Sequence, residues 1–195
     1  YAAKVAEMMN TTATALSLGN VEESELKRLG SYGAAKIIAV ENDALKTLDN
    51  QVYTGVIAET AEKEAATIII LSNNNTGKAI APRLSVRLKA GIGSGVSRLP
   101  LATEPFTVYK RAYSGNAYAH QVINSNVKII TLAQNSFELI ETANNAVIEK
   151  RSVNVDPSAV KTVVKDVHKQ TGKILLTDAD VVVSGGRGMK SPDNW

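Results

Sequence analysis

The apolar residues of this chain come in short runs separated by longer amphipathic stretches, and that rhythm limits the possible folds more than any other feature. Runs such as residues 67–71 and 180–183 hold four to six residues, far short of the about 20 needed to span a bilayer as a helix. Residues 12–19, 36–40 and 67–71 read as strands. Residues 21–29 read as a helix opening with Glu22, Glu23 and Glu25 near its positive end. Residues 49–65 form a second helix, with Val52, Val56, Ile57 and Ala61 at helical spacing. Residues 75–90 form a basic amphipathic third, with Ile80, Leu84 and Leu88 on one face and Pro82 in its first turns, where proline is best tolerated. Strands bracketing helices in this way imply βαβ crossovers and a parallel sheet.

After Gly91 the rhythm changes. Residues 106–112, 119–124, 128–132 and 146–152 read as strands with little room for helices between them, so antiparallel strands are expected to extend the edge of the parallel sheet. The expected class is α/β, a mostly parallel sheet flanked by helices with added antiparallel strands. Residues 153–177 are more polar and read as a bridge toward a second unit. Both ends read as cut: residues 1–8 resemble the interior of a helix without an N-cap, and Ser191-Pro192-Asp193 is how a helix begins. The expected division is residues 1–170 as an α/β domain lacking its first strand, and 171–195 as linker, strand and turn of another.

Composition removes several classes. With 195 residues, 44% hydrophobic, the chain can bury a sizeable core, and with no cysteine it has no thiol chemistry or thiolate metal site within these residues. No basic segment followed by an apolar one opens it, so a soluble, cytoplasmic protein is expected. The net charge of +3 hides a segregation. Between residues 71 and 120 lie seven basic residues, Lys78, Arg83, Arg87, Lys89, Arg98, Lys110 and Arg111, against the single acid Glu104. Such a block suits an acidic protein surface, an anionic ligand or nucleic acid. Tyr109, Tyr113 and Tyr118 lie nearby, but no recognition helix or ribonucleoprotein motif accompanies them, so nucleic acid is not expected as a partner.

Two turns could carry chemistry. Ser184-Gly185-Gly186-Arg187-Gly188 follows an apparent buried strand over residues 179–183 and precedes a helix start. Glycines let amides approach an anion and Arg187 adds a full positive charge, which suits a pyrophosphate or a reduced cofactor ring; a purely structural turn is equally compatible. Ser72-Asn73-Asn74-Asn75-Thr76-Gly77-Lys78 also joins a strand to a helix, without the Walker spacing. A capped structural connection is its simpler reading, and a free-standing module binding adenine nucleotide there is the alternative function. His120 and His168 have no ligand or base partner at suitable spacing and read as surface residues. Asp178 and Asp180 read as turn and cap residues. No catalytic or metal-binding set is visible.

Three segments in order carry a resemblance. Thr76-Gly77-Lys78-Ala79-Ile80-Ala81-Pro82-Arg83-Leu84-Ser85-Val86-Arg87-Leu88, then Tyr113-Ser114-Gly115-Asn116-Ala117-Tyr118-Ala119, then Asp180-Val181-Val182-Val183-Ser184-Gly185-Gly186-Arg187-Gly188-Met189-Lys190-Ser191-Pro192 resemble segments of electron transfer flavoprotein alpha subunits. That resemblance implies an adenine nucleotide alpha hydrolase-like fold and an electron carrier rather than an enzyme. It implies a beta-subunit partner, with dehydrogenases and an acceptor oxidoreductase in the intact complex and processes such as fatty acid β-oxidation served. It also implies FAD in the intact protein, with Arg187, Gly186 and Gly188 in its binding set and none expected on this segment alone. No membrane insertion is implied.

Overall fold

The computed structural model describes all residues except 143, 156, 167–170, 177, 178, 180 and 195. The chain divides into two units, Tyr1–Val163 and Val164–Trp195.

In the first unit, α1 (Ala2–Met8) leads into β1 (Ala13–Leu18), α2 (Glu23–Arg28), β2 (Ala34–Val40), α3 (Asn50–Lys63), β3 (Ile68–Ser72) and α4 (Asn75–Arg87). Then follow β4 (Gly91–Val96), β5 (Ala102–Thr103), β6 (Phe106–Ala112), β7 (Ala117–Val122), β8 (Lys128–Leu132) and β9 (Val147–Arg151). Two sheets result. One is fully parallel in the order β1-β2-β9; the other runs β3-β8-β4-β6-β5, with β7 also on β6. In the second sheet β3, β8 and β4 are parallel, while β5, β6 and β7 pair antiparallel at one side. The α/β class with added antiparallel strands is therefore observed, with two refinements. β8 and β9 are parallel strands, reached by long returns, rather than members of the antiparallel edge. β4 carries three glycines in Gly91-Ile92-Gly93-Ser94-Gly95-Val96 and shows no apolar alternation. Those glycines are what let it lie in the middle of a sheet: a Cβ on Gly91 would come within 2.6 Å of the Ile123 side chain.

β2 and β8, with sheet partners on both sides, are largely buried on both faces, which is why their apolar residues are not interrupted by a polar face. Ile129 packs with Ile57, Ile80 and Leu84 of α3 and α4, joined by Leu16, Ile69, Leu71 and Leu88. Its neighbour Ile130 points the other way, into Val96, Phe106, Val108 and Ile123, with Tyr1, Met9, Ile68 and Ile70. Burial pushes the Tyr1 phenol up to about 12. Pro82 sits at the eighth position of α4, in the helix interior rather than its first turns; the helix tolerates it there and keeps Ile80, Ala81 and Leu84 buried.

The carboxylate of Asp49 holds two parts of this unit together. Its Oδ1 accepts from the Gln51 and Val52 amides at 2.8 and 3.1 Å, capping α3. Its Oδ2 accepts from the Lys161 and Thr162 amides at 3.0 and 2.9 Å. The side chain is only 2% exposed. The Val52 amide, with contributions from Thr162, Lys161 and Gln51 and against the opposing effect of burial, holds its pKa at about 2. An isolated carboxyl of this type titrates near about 3.9, so this stabilisation is complete above that value and is lost as pH falls through about 2. Asp49→Asn keeps one carbonyl oxygen, enough for the helix cap or for the 161–162 amides but not for both. It should lower unfolding free energy by about 1–3 kcal/mol in urea titrations at pH 7 and flatten the loss of stability between about pH 4 and pH 2. Parallel pH profiles for the two proteins would show that Asp49 does not make these contacts in solution.

Candidate functional site

Three places carry the residues that the sequence singles out. The first is the connection from β3 to α4, at the carboxyl ends of β3, β8 and β4. Asn74 caps α4 by accepting from the Gly77 amide at 2.9 Å. Asn73 Oδ1 accepts from the Thr131 hydroxyl at 2.9 Å, and that hydroxyl in turn accepts from the Gly95 amide at 3.0 Å. Gly77 packs so closely on the end of β3 that a Cβ there would lie 1.8 Å from the Ser72 carbonyl oxygen. The Gly77 and Gly95 amides, the Asn73 and Asn74 side chains and the Thr131 hydroxyl are thus engaged with one another, and the glycine answers a steric demand. The structural reading of this connection is the one the geometry supports. Gly77→Ala should cost about 3 kcal/mol, at the upper end of overpacking penalties, measured as a fall in the urea midpoint. A change below about 0.5 kcal/mol would mean that the backbone can open there.

The second place is the β6–β7 hairpin and its surroundings. Tyr109 is buried beneath a stack: the Arg98 guanidinium lies 4.5 Å from its ring centre, the Tyr118 ring is stacked at 5.0 Å, and His120 stands at 5.7 Å. His120 is exposed, as expected for a surface residue. The hairpin tip is formed by Tyr113, Ser114 and Gly115, all with positive φ, at 51°, 56° and 95°. Two non-glycine residues in the left-handed region are uncommon, and they hold Tyr113 out in solvent, 84% exposed. The seven cations of the 71–120 block all lie in this unit, and among the described residues none is in an ion pair. Elsewhere opposite charges meet. Lys36 binds Glu64 and Glu149 at 3.0 and 2.7 Å, and Arg151 bridges the same two carboxylates. Hydrogen bonding to Arg151, then Lys36, pulls the Glu64 carboxyl below its ordinary range. This four-charge ring ties β2, β9 and the end of α3, and no local sequence signal marks it, because its members are up to 115 residues apart.

The third place is Ser184–Gly188, in the second unit. Arg187–Met189 form a single 3-10 turn, with the Met189 amide donating to the Gly186 carbonyl at 3.0 Å. A Cβ on Gly186 or Gly188 would meet nothing within 4 Å. The Arg187 side chain is exposed and has no hydrogen-bond or ion-pair partner among the described residues, while the Arg187 carbonyl accepts from the Lys190 amide at 3.4 Å. Pro192–Asn194 form another 3-10 turn, opened by Ser191, whose carbonyl accepts from the Asn194 amide at 3.2 Å. The buried strand expected before the glycines is not observed: Val181 and Val183 are irregular and 81% and 82% exposed. An apolar run becomes a strand only when neighbouring strands supply its ladder and cover its faces, and no strand pairs with it among the described residues. His168, Asp178 and Asp180 lie outside the described residues. As a donor set, free amides and one guanidinium fit the anionic part of a flavin nucleotide. Among the described residues no group of His, Asp or Glu could hold a metal ion, and no helix is long and apolar enough to cross a membrane.

Parallel strands with flanking helices define the first unit as an α/β fold. Comparison with known families is more specific. The electron transfer flavoprotein domain matches residues 1–170, and the chain belongs to that family. It is 28% identical over 181 residues to electron transfer flavoprotein subunit alpha of Bacillus subtilis, covering 91% of this chain and 55% of that protein. It is 28% identical to the subunit alpha of Clostridium acetobutylicum, covering 98% and 60%. It is 24% identical to a protein of Anaerotignum propionicum named acryloyl-CoA reductase electron transfer subunit beta, covering 95% and 59%. The chain therefore spans a little over half the length of the curated relatives it matches.

Proposed function

We propose that this chain acts as part of an electron transfer flavoprotein alpha subunit, an electron carrier that pairs with a beta subunit. Residues 1–170 are its N-terminal α/β domain, the part that packs with the partner. Residues 171–195 are the linker and the first segment of a FAD-binding domain. The observation that carries this reading is the family match over residues 1–170 together with likeness to alpha subunits. Bound FAD would supply reversible electron acceptance between dehydrogenases and an acceptor oxidoreductase. Arg187 would hold its anionic portion, with the open backbone at Gly186 and Gly188 allowing close approach. A positive charge beside a flavin favours its anionic reduced form, so Arg187→Ala, in a polypeptide of the relatives' length, should lose FAD on gel filtration or lower the flavin potential. Unchanged FAD content with an unchanged potential would remove Arg187 from the site.

The partner-facing surface in this reading is the unpaired cationic face around the Arg98–Tyr109–Tyr118 stack, since tyrosine and arginine are the residues most used at protein interfaces. Arg98→Glu with Arg111→Glu should weaken association with a beta subunit at least about tenfold, chiefly through the association rate and more strongly at low salt. The thermal midpoint should stay within about 2 °C. An affinity indifferent to both reversals would place the interface elsewhere.

A further inference from the structure

The loop that closes the β6–β7 hairpin is built against local preference. Six cross-strand pairs, from Thr107 with Val122 to Ala112 with Ala117, lead to the loop Tyr113-Ser114-Gly115-Asn116. Left-handed backbone is accepted most easily by glycine and, among the other residues, by asparagine. This loop has both, yet Asn116 is right-handed, with φ −76° and ψ −14°. The left-handed positions ahead of Gly115 fall instead to Tyr113 and Ser114. The Asn116 amide donates to the Tyr113 carbonyl at 3.1 Å. The Tyr113 ring is 84% exposed and has no hydrogen-bond or aromatic partner among the described residues. No such contact holds the ring where it is.

We infer that Tyr113 is the anchor of the partner-facing surface, an aromatic knob that enters an apolar pocket with an acidic rim on the beta subunit. The inference rests on the reading of the Arg98–Tyr109–Tyr118 face as the one that meets that subunit. Two successive non-glycine residues in the left-handed region persist only where the surroundings over-determine them, and such strain clusters at ligand clamps and binding sites. Here its effect is to project a ring off the end of a ladder. The support beneath is rigid: Tyr118, paired across from Arg111, stacks on the buried Tyr109. Tyrosine has two side-chain torsions, so a ring presented in this way loses little freedom when it is covered.

The chemistry of the pocket follows from the ring and its neighbours. A phenol offers a broad apolar surface with one polar atom at its far end, which calls for apolar walls and a single hydrogen-bonding group. Residues 105–137 hold no Asp or Glu, while Lys110 and Arg111 lead into the tip. Neither cation is in an ion pair among the described residues, so an acidic rim complements them. Single-stranded nucleic acid also offers flat rings and negative charge. Its binding proteins use a series of aromatic platforms along a groove, whereas this tip presents one ring and the hairpin's other two tyrosines are stacked on each other. A division of labour results: an anchor buried at the centre of an interface governs dissociation, while rim charges such as Arg98 and Arg111 govern association.

The test follows association of a polypeptide of the relatives' length with a beta subunit from the same organism by surface plasmon resonance. Tyr113→Gly removes the ring and suits the left-handed backbone; Tyr113→Phe keeps the ring. Tyr113→Gly should weaken affinity at least about thirtyfold, carried by faster dissociation. The thermal midpoint of the free polypeptide should hold or rise by up to about 4 °C, because strain is relieved. Tyr113→Phe should stay within about fivefold of the parent. Arg98→Glu with Arg111→Glu is measured alongside. Weakening by those reversals, with Tyr113→Gly within about threefold of the parent, would overturn the anchor and leave the partner-facing surface standing. Indifference to every variant would overturn both. A midpoint lowered by more than about 4 °C in Tyr113→Gly would make the ring structural and overturn the inference. So would unchanged subunit affinity together with lost binding of a dT strand of about 15 nucleotides, because the ring would then serve base stacking.

Discussion

A parallel strand gains most from ladders along its edges and side chains over its faces, and most of this structure is an answer to that demand. The helices provide the cover. Ile129 and Ile130, adjacent in β8, point into opposite layers, one beneath α3 and α4 and the other among Phe106, Val108 and Ile123. The connections follow from the same demand, since a parallel neighbour cannot be reached by a tight turn. Long-range polar contacts then fix the returning chain. The Asp49 carboxylate accepts amides from the start of α3 and from residues 161 and 162, and the Lys36–Glu64–Glu149–Arg151 ring joins β9 to β2 and α3. β9 is thus held at the far edge of a sheet whose other members lie more than a hundred residues earlier.

Legibility in the sequence tracks how local each cause is. The helices α2, α3 and α4 and the strands β1, β2, β3, β6 and β8 could be read because periodicity, caps and β-branched runs are local signals. The motif Gly77-Lys78 to Leu88 lies on α4 as read, with Ile80 and Leu84 buried. β4 was illegible because its glycines record a packing requirement set by Ile123, more than thirty residues away. The orientation of β8 and β9 depends on where the chain returns, which no window of sequence contains. Residues 181–183 show the reverse error: Val181-Val182-Val183 is strong local strand sequence, yet without a ladder it stays irregular and exposed. Of the residues read as cofactor-binding, the sequence supplied the chemistry of Arg187, Gly186 and Gly188. Their relation to any other part of a site rests on contacts that a local motif does not contain.

Charge and shape act together at the β6–β7 hairpin. In the first seventy residues acids outnumber bases, ten to six, and many of those charges neutralise one another across one or two helical turns, as in Lys27–Glu23, Arg28–Glu25 and Lys63–Glu59. Exposed pairs of this kind contribute little to stability, but they leave no net field. The block from 71 to 120 has a single acid among seven cations, so its field remains. Arg98 of that block belongs to a stack in which one buried tyrosine supports an arginine, a second tyrosine and a histidine. Rigid aromatic support lowers the entropy lost when such a surface is covered.

The connection between β3 and α4 shows why the fold does not by itself confer nucleotide binding. It lies where open parallel sheets bind ligands, beyond the carboxyl ends of the strands and at a helix start. An anion there would need amides and hydroxyls free to turn toward it. In this chain the Gly77 amide is bound to Asn74, the Gly95 amide to Thr131, and the Thr131 hydroxyl to Asn73. Opening the site would break these bonds inside a region where Thr131 is almost fully buried, and each buried group left unpaired costs about 1–3 kcal/mol. These groups are turned toward one another rather than outward. At the turn around Arg187, the Met189 and Lys190 amides donate to Gly186 and Arg187, and the Arg187 side chain is exposed. Function in a widely shared fold is decided by which donors remain unsatisfied.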